Sequence, residues 1–224
     1  MIVWKCGEYM SVTITSLAHA AFQIKAAGKI IYVDLEEYAQ PRDQADVVLV
    51  THSHTDHCDP GKIKKVLKEE TIIIAPEDCG KKIGKEITTL LPGEEAKIDG
   101  LIIKAVHAYN IRRFRSPGTP FHPKGFGVGY LIMAEGKTIY HAGDTDFIPE
   151  MEQIKGVDVA LLPTGDTYTM DNKEAADAAI AINPAISIPM HTWGNATTEF
   201  KKKVEAGSST RVITLDEGEA FTVE

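Results

Sequence analysis

The sequence predicts an α+β protein in which two β-sheets pack together and helices cover their outer faces. Its opening part reads as short β-rich segments joined by turns, and strand-like and helix-like segments then alternate through both halves of the chain. With 224 residues, 43% of them hydrophobic, the chain can bury a substantial core. We therefore expect one domain over residues 1–224.

The first half begins with antiparallel strands and continues with alternating strands and helices. The run V-V-L-V at residues 47–50 is apolar and β-branched, as in a buried strand. Asp59 followed by Pro60 is typical of a helix start. The predicted strands are residues 12–17, 21–25, 30–33, 47–50, 71–75, 87–91, 94–98 and 101–105. The predicted helices are residues 59–69 and 76–83.

The second half begins with a segment that lacks periodicity, residues 108–125, which is rich in proline, glycine and basic residues. A loop of this length inside a compact domain is usually functional or disordered. Asp171 opens a capping-box pattern before an alanine-rich helix. The remaining predicted strands are residues 128–133, 138–140, 157–162, 186–189, 212–215 and 220–223, and the predicted helices are 171–182 and 196–206.

A cluster of histidines and carboxylates follows the strand at residues 47–50. Residues 51–59 read T-H-S-H-T-D-H-C-D. Side chains alternate along an extended backbone, so His52 and His54 point the same way, and Asp56 and His57 can face the same cavity. A polar loop of structural histidines is the alternative interpretation. Four candidate ligands within six positions favour a divalent metal instead.

Three further candidate ligands each stand just past a predicted apolar strand: His107, Asp144 and His191. Any one of them alone would more often be structural. Together with the cluster they make seven candidates, which suits two metal ions about 3.5–4 Å apart better than one tetrahedral ion. Zinc is our first choice by ligand type, and manganese or iron stays open because every ligand atom is nitrogen or oxygen.

The segments T-H-S-H-T-D-H, A-V-H, Y-H-A-G-D-T and P-M-H, within residues 51–191, resemble successive motifs of the metallo-β-lactamase superfamily. The resemblance implies a four-layer αββα sandwich with the site between the upper ends of the two sheets. It implies a first metal on His52, His54 and His107. It implies a second metal on Asp56, His57 and His191, with Asp144 bridging both.

Within that superfamily, S-L-A-H-A at residues 16–20 and Y-H-A-G-D-T resemble a branch of compact metal-dependent hydrolases similar to L-ascorbate-6-phosphate lactonases. The branch usually has glycine where this chain has Ala18. It often has paired glycines where this chain has Gly165 and Asp166. Both departures border the expected pocket.

The expected activity is hydrolysis of a small, anionic ester, lactone or phosphodiester by a hydroxide that bridges the two metals. Asp56 would align this nucleophile. His19 and His141 are candidates for a proton donor or for supporting the ligands, although a structural role is as compatible with each. A thioester hydrolase of glyoxalase type and a non-catalytic metal-binding protein remain alternatives.

Three arginines lie in the long loop: Arg112, Arg113 and Arg115. Their guanidinium groups could clamp a phosphate or carboxylate beside the metals. A solvated basic loop is the equal alternative.

We expect a small-molecule substrate as the partner, and a homo-oligomer stays open. The formal net charge of -8 argues against a broad nucleic-acid interface. No stretch has the length of a transmembrane helix, and the start lacks a signal-peptide pattern, so no membrane partner is expected. Cys6, Cys58 and Cys79 do not suggest a disulfide framework, which favours the cytoplasm.

Overall fold

Two β-sheets lie face to face and helices cover their outer sides, so the predicted αββα sandwich is confirmed. The structure, a computed structural model, describes residues 11–223. The first sheet contains β1 (Val12–Ala18), β2 (Ala21–Ala26), β3 (Lys29–Val33), β4 (Val47–Leu49), β5 (Ile72–Ile74) and β15 (Ala220–Val223), in the order β15-β1-β2-β3-β4-β5.

The second sheet contains β6 (Glu95–Ile98), β7 (Leu101–Ala108), β10 (Gly127–Ala134), β11 (Lys137–His141), β12 (Val159–Pro163), β13 (Ile186–Met190) and β14 (Arg211–Val212). Its order is β14-β13-β12-β11-β10-β7-β6. A separate hairpin pairs β8 (Phe114–Ser116) with β9 (Thr119–Pro120). The helices are α1 (Pro60–Val66), α2 (Glu77–Ile83), α3 (Asn172–Ile182), α4 (Thr198–Gly207) and a 3-10 helix at Pro149–Gln153.

The main hydrophobic core lies between the sheets, where Ile24 of β2 and Ile132 of β10 belong to one buried cluster. Alternate residues of β1 and β7 are buried, as expected of strands with one face on a core. Two smaller clusters attach the helices. In one cluster, Ile63 of α1 packs with residues on the outer face of the first sheet. In the other, Phe200 of α4 packs with residues on the outer face of the second sheet.

Parallel strands bring several loops to one edge of the sandwich. β3, β4 and β5 are parallel neighbours in the first sheet, and β11 to β14 are parallel in the second. Parallel strands end at the same edge of a sheet, and ligands often bind outside their carboxyl ends. His52 follows β4, Asp144 follows β11 and His191 follows β13. The sandwich therefore places these side chains at the same edge.

Two of the predicted helix starts, at Asp59 and Asp171, are confirmed by side-chain caps. Asp59 Oδ1 accepts a hydrogen bond from the Lys62 amide at 2.7 Å, at the start of α1. Asp171 Oδ1 accepts hydrogen bonds from the Lys173 and Glu174 amides at the start of α3. These bonds satisfy amides that the first helical turn leaves without partners.

Several predicted boundaries are wrong. Residues 87–91 do not form a strand, and only Thr88 makes an isolated bridge, with Ile74. β7 continues to Ala108 instead of ending at residue 105. The predicted irregular loop at residues 108–125 contains the β8–β9 hairpin.

Two of the three cysteines lie in the described part. Cys58 and Cys79 are buried free thiols, while Cys6 is outside the described residues. Between residues 11 and 223, the helices are too short or too polar to cross a membrane.

Candidate metal centre

Three imidazole nitrogens converge on one side of the site. His54 Nδ1 lies 3.1 Å from His52 Nε2 and 3.2 Å from His122 Nε2. His52 and His122 are almost completely buried, so these rings have little contact with solvent. Three nitrogens in this arrangement form a plausible set of ligands for one divalent metal ion.

A second set surrounds the carboxylate of Asp56. Asp56 Oδ2 lies 3.7 Å from both His57 Nε2 and His191 Nε2, and 3.8 Å from His19 Nε2. The three nitrogens are buried and have no hydrogen-bond partner in the described structure. An unpaired buried polar group is costly, so these atoms fit a site that holds a cation.

Asp144 lies between the two sets. Its Oδ2 atom is 3.3 Å from His122 Nε2 and 3.2 Å from His191 Nε2, and its Oδ1 atom is 3.3 Å from His57 Nε2. The preceding Gly143 has φ +63°, and a Cβ there would lie 2.9 Å from the Val128 carbonyl oxygen. Glycine therefore allows the tight turn that directs Asp144 into the site.

Asp34, which the sequence analysis missed, orients two of the histidines. Its Oδ2 atom accepts hydrogen bonds of 2.7 Å from His57 Nδ1 and from Thr51 Oγ1. Thr51 Oγ1 in turn accepts the Nδ1–H of His52 at 3.0 Å. Both imidazoles are thereby left with Nε2 directed at the site, a support commonly found behind metal-bound histidines. In the sequence, the feature that could have indicated this role is the position of Asp34 directly after β3.

His122 is held in place by a second network. Its Nδ1–H donates to Asn110 Oδ1 at 2.8 Å, which leaves Nε2 free to face the cluster. The Asn110 amide nitrogen donates to Asp146 Oδ1 and to the Tyr168 carbonyl oxygen. This loop is therefore fixed to the body of the protein at the point where it delivers His122.

The electrostatics of the site favour added positive charge. Burial alone would raise the pKa values of Asp56 and Asp144, but neighbouring histidines, His191 and His57, hold both below the usual range. Burial would lower the pKa values of His57 and His191, yet both are raised, mainly by Asp144. The carboxylates thus favour positive charge at this part of the site.

Three other histidines of the site have lowered pKa values, because burial outweighs the attraction of the carboxylates. Burial is the largest cause that lowers the pKa of His19 to about 3 and that of His122 to about 4. Burial also keeps the pKa of His52 well below its ordinary value. A neutral imidazole is the form that binds a metal ion.

His107 is not part of this site, contrary to the prediction. Because β7 continues past residue 105, His107 lies inside the strand, paired with Val128. It lines a separate surface cleft with Lys104 and Glu150. Within the described residues, none of the candidate ligand groups includes His107, and His122 occupies the position predicted for it.

His141 bonds to two backbone groups, which fits the structural alternative and leaves no ring nitrogen for a proton-donor role. Its Nε2–H donates to the Ala20 carbonyl oxygen at 3.0 Å, and its Nδ1 accepts the Gly143 amide at 3.2 Å. The ring is fully buried, and burial lowers its pKa. His141 thereby ties the end of β11 to the β1–β2 turn of the other sheet and has no nitrogen left for a substrate.

The three loop arginines lie in different environments. Arg113 is mostly buried and forms ion pairs with Asp146 and Glu174. Arg112 is largely exposed, and its contact with Glu174 is long, at 3.8 Å between Nη1 and Oε1. Arg115 lines the cavity next to His54, Asp56 and Asp144. Only Arg115 of these three is therefore placed to touch a bound substrate.

Replacing Arg113 with alanine is expected to lower the free energy of unfolding by about 3 kcal/mol, since it leaves two buried carboxylates without their cation. Urea unfolding of the variant measures the loss. Arg112→Ala is the matched control and should change stability little, because exposed ion pairs contribute little. Equal stability of Arg113→Ala and the wild type would contradict the structural role.

Comparison with known proteins identifies the family of the chain. A family model described as the beta-lactamase superfamily domain matches residues 13–191. A metal-dependent hydrolase of Pyrococcus abyssi is 35% identical over 93% of this chain and 98% of its own. The crystal structure of a protein from Parabacteroides distasonis has 37% identity and a TM-score of 0.83, covering 92% of this chain and 94% of the other.

A metallo hydrolase from the hyperthermophilic archaeon Ignicoccus hospitalis is similar to the chain over almost all of both lengths, 96% of this chain and 99% of the other. It has 27% identity and a TM-score of 0.77. The relatives therefore match the whole sandwich and not only the histidine motif. The chain belongs to the beta-lactamase superfamily domain family and is a metal-dependent hydrolase of the metallo-β-lactamase superfamily.

Proposed function

We propose that the chain binds two divalent metal ions and hydrolyses a small anionic ester, lactone or phosphodiester. His52, His54 and His122 would hold the first ion, and Asp56, His57 and His191 the second, with Asp144 shared. The observation that carries the proposal is the position of Asp144, whose oxygens lie 3.2–3.3 Å from nitrogens of both sets.

Two bound ions would lower the pKa of a water molecule between them and polarise the reacting carbonyl or phosphoryl oxygen. The chain's own groups supply the alignment. Asp56 faces the cavity and can accept a hydrogen bond from the attacking water, while Asp34 keeps His57 and His52 from rotating. Nitrogen-rich ligand sets suit zinc, and manganese or iron fits the same donors.

His19 lies where it can assist the reaction. Its Nε2 atom is buried, has no partner in the described structure and lies 3.8 Å from Asp56 Oδ2. Burial lowers its pKa to about 3 and keeps the ring neutral, so Nε2 can accept a hydrogen bond or add to the second ligand set.

An anionic substrate is favoured by Arg115. Among residues 11–223 Arg115 is the one Lys or Arg side chain that lines the cavity at the site, and it is exposed. A guanidinium group can hold a phosphate or carboxylate with two parallel hydrogen bonds.

Replacing Arg115 with alanine should raise KM for an anionic ester about tenfold, because one charge-assisted hydrogen bond to the substrate is lost. It should leave hydrolysis of a neutral ester unchanged. Arg112→Ala is the control, because it removes the same charge from the same loop outside the cavity. Equal effects of the two variants, or equal effects on both substrates, would contradict substrate contact by Arg115.

The proposed activity is tested by a substrate panel with zinc- and manganese-loaded protein. The panel contains a phosphodiester, an anionic lactone, a carboxylate ester and a thioester. Hydrolysis of at least one of the first three is expected, and preference for the thioester would favour the glyoxalase type instead. Metal-loaded protein that hydrolyses none of them would contradict the proposal.

A further inference from the structure

One wall of the cavity is aromatic. The cavity has a volume of about 460 Å³. Apart from the candidate ligands, it is lined by Thr55, Arg115, Phe121, Tyr168 and Trp193. Pockets for small molecules commonly combine an apolar, aromatic lining with a few polar groups that fix orientation.

The three aromatic rings form a continuous row. The ring centres of Phe121 and Tyr168 are 4.8 Å apart at 89°, and those of Tyr168 and Trp193 are 6.1 Å apart. Tyr168 is 38% exposed and Trp193 is 55% exposed. Rings that serve only the core are normally covered, so this row offers a surface for another flat group.

Trp193 is held in this position by an unusual local backbone. Its φ is +51°, as is that of His191, and both are rare for residues other than glycine. The indole also lies 4.5 Å from the His19 ring. A Cβ at Gly165 would approach Trp193 Cδ1 to 2.7 Å and the His191 carbonyl oxygen to 2.3 Å. Backbone strain of this kind concentrates at ligand sites.

Arg115 joins the charged and aromatic parts of the cavity. Its guanidinium carbon lies 5.7 Å from the centre of the Phe121 ring. A ligand that lies against the row would therefore have a cation beside it at one end and the histidine cluster at the other.

The geometry points to a substrate with a planar, aryl-like group in addition to its negative charge. The flat group lies against Phe121, Tyr168 and Trp193, and the anionic group lies at Arg115. The reaction rests on the function proposed above, whereas the preference for a planar group is a binding property of the cavity.

Three phosphonates test this preference: phenylphosphonate, cyclohexylphosphonate and methylphosphonate. Their carbon–phosphorus bonds resist hydrolysis, so calorimetry measures binding to the metal-loaded protein. Because all three share one charged group, contributions from Arg115 and bound metals largely cancel in the ratio of their Kd values. We expect phenylphosphonate to bind at least about tenfold more tightly than methylphosphonate, with cyclohexylphosphonate between them.

Variants of the aromatic row test whether its rings cause the preference for phenylphosphonate. Phe121→Leu, Tyr168→Leu and Trp193→Leu should each reduce the ratio. Phe114→Leu should not, because Phe114 is an exposed aromatic residue of the neighbouring hairpin and does not line the cavity. In a Trp4→Phe background, Trp193 is the remaining tryptophan of the chain, and its fluorescence should change saturably with phenylphosphonate.

Equal Kd values for the phenyl and methyl compounds would overturn the inference. Equal Kd values for the phenyl and cyclohexyl compounds would overturn its planar part. A ratio that falls as much in Phe114→Leu as in the three cavity variants would also contradict it. Failure of the proposed function would give a different result. The metal-loaded protein would then hydrolyse no ester, but the ratio of the Kd values would still show the preference for the phenyl compound.

Discussion

Replacing Asp56 with alanine is expected to reduce hydrolysis by about 10²-fold or more, because misplacement of the reacting groups alone can cost that much. The carboxylate lies at the cavity, 3.7 Å from nitrogens of His57 and His191, where it can align the attacking water. The protein should stay folded, because Asp56 is about one-third exposed and caps no helix.

Steady-state kinetics and metal analysis on the same preparation separate the roles of Asp56. Asp56→Ala should retain the ion at His52, His54 and His122 and lose affinity at the second set. Asp56→Asn, which keeps the size of the side chain, should be similarly slow. Turnover equal to that of the wild type in either variant would remove Asp56 from the mechanism.

Replacing His122 with alanine is expected to abolish binding of the first ion and most of the hydrolysis. Its Nε2 atom lies 3.2 Å from His54 Nδ1 and 3.3 Å from Asp144 Oδ2, so it completes the first ligand set. Loss of a residue that only supports a ligand typically costs about 10- to 100-fold in metal affinity, and loss of a ligand should cost more.

His107→Ala is the matched control for this variant. His107 is the histidine that the motif resemblance selected, but it lies in another cleft. The control should bind metal and hydrolyse substrate as the wild type does. Metal loss and inactivity in His107→Ala, with normal behaviour of His122→Ala, would reverse the assignment.

The histidine cluster could be predicted because most of its candidate ligands are close in sequence or follow recognisable strands. His52, His54, Asp56 and His57 span one loop, and Asp144 and His191 stand at the ends of parallel strands. The third candidate ligand of the first set, His122, could not be found in this way. His122 lies in a loop without periodicity, and only Asn110 and the fold of that loop bring it to the cluster.

Supporting residues were also hidden from sequence reasoning. Asp34 acts through Thr51 and His57, which are 17 and 23 residues away, so no local pattern reveals it. Arg113 and Arg115 look alike in sequence, yet packing against Asp146 and Glu174 buries one and leaves the other at the cavity.

Asp166 lies in a segment that is fixed next to the cavity. Asp166 adopts φ +73°. Aspartate tolerates this left-handed conformation better than most residues. The Asp166 carbonyl oxygen accepts a hydrogen bond from Arg113 Nε at 2.6 Å, which fixes the segment next to the cavity.

The number of metal ions per chain tests the central claim most directly. Protein purified without chelator and reconstituted with zinc or manganese should contain two equivalents by elemental analysis. The reason is that two sets of ligand atoms share Asp144 in this site. A stable value of one equivalent or none after reconstitution would contradict the dinuclear centre.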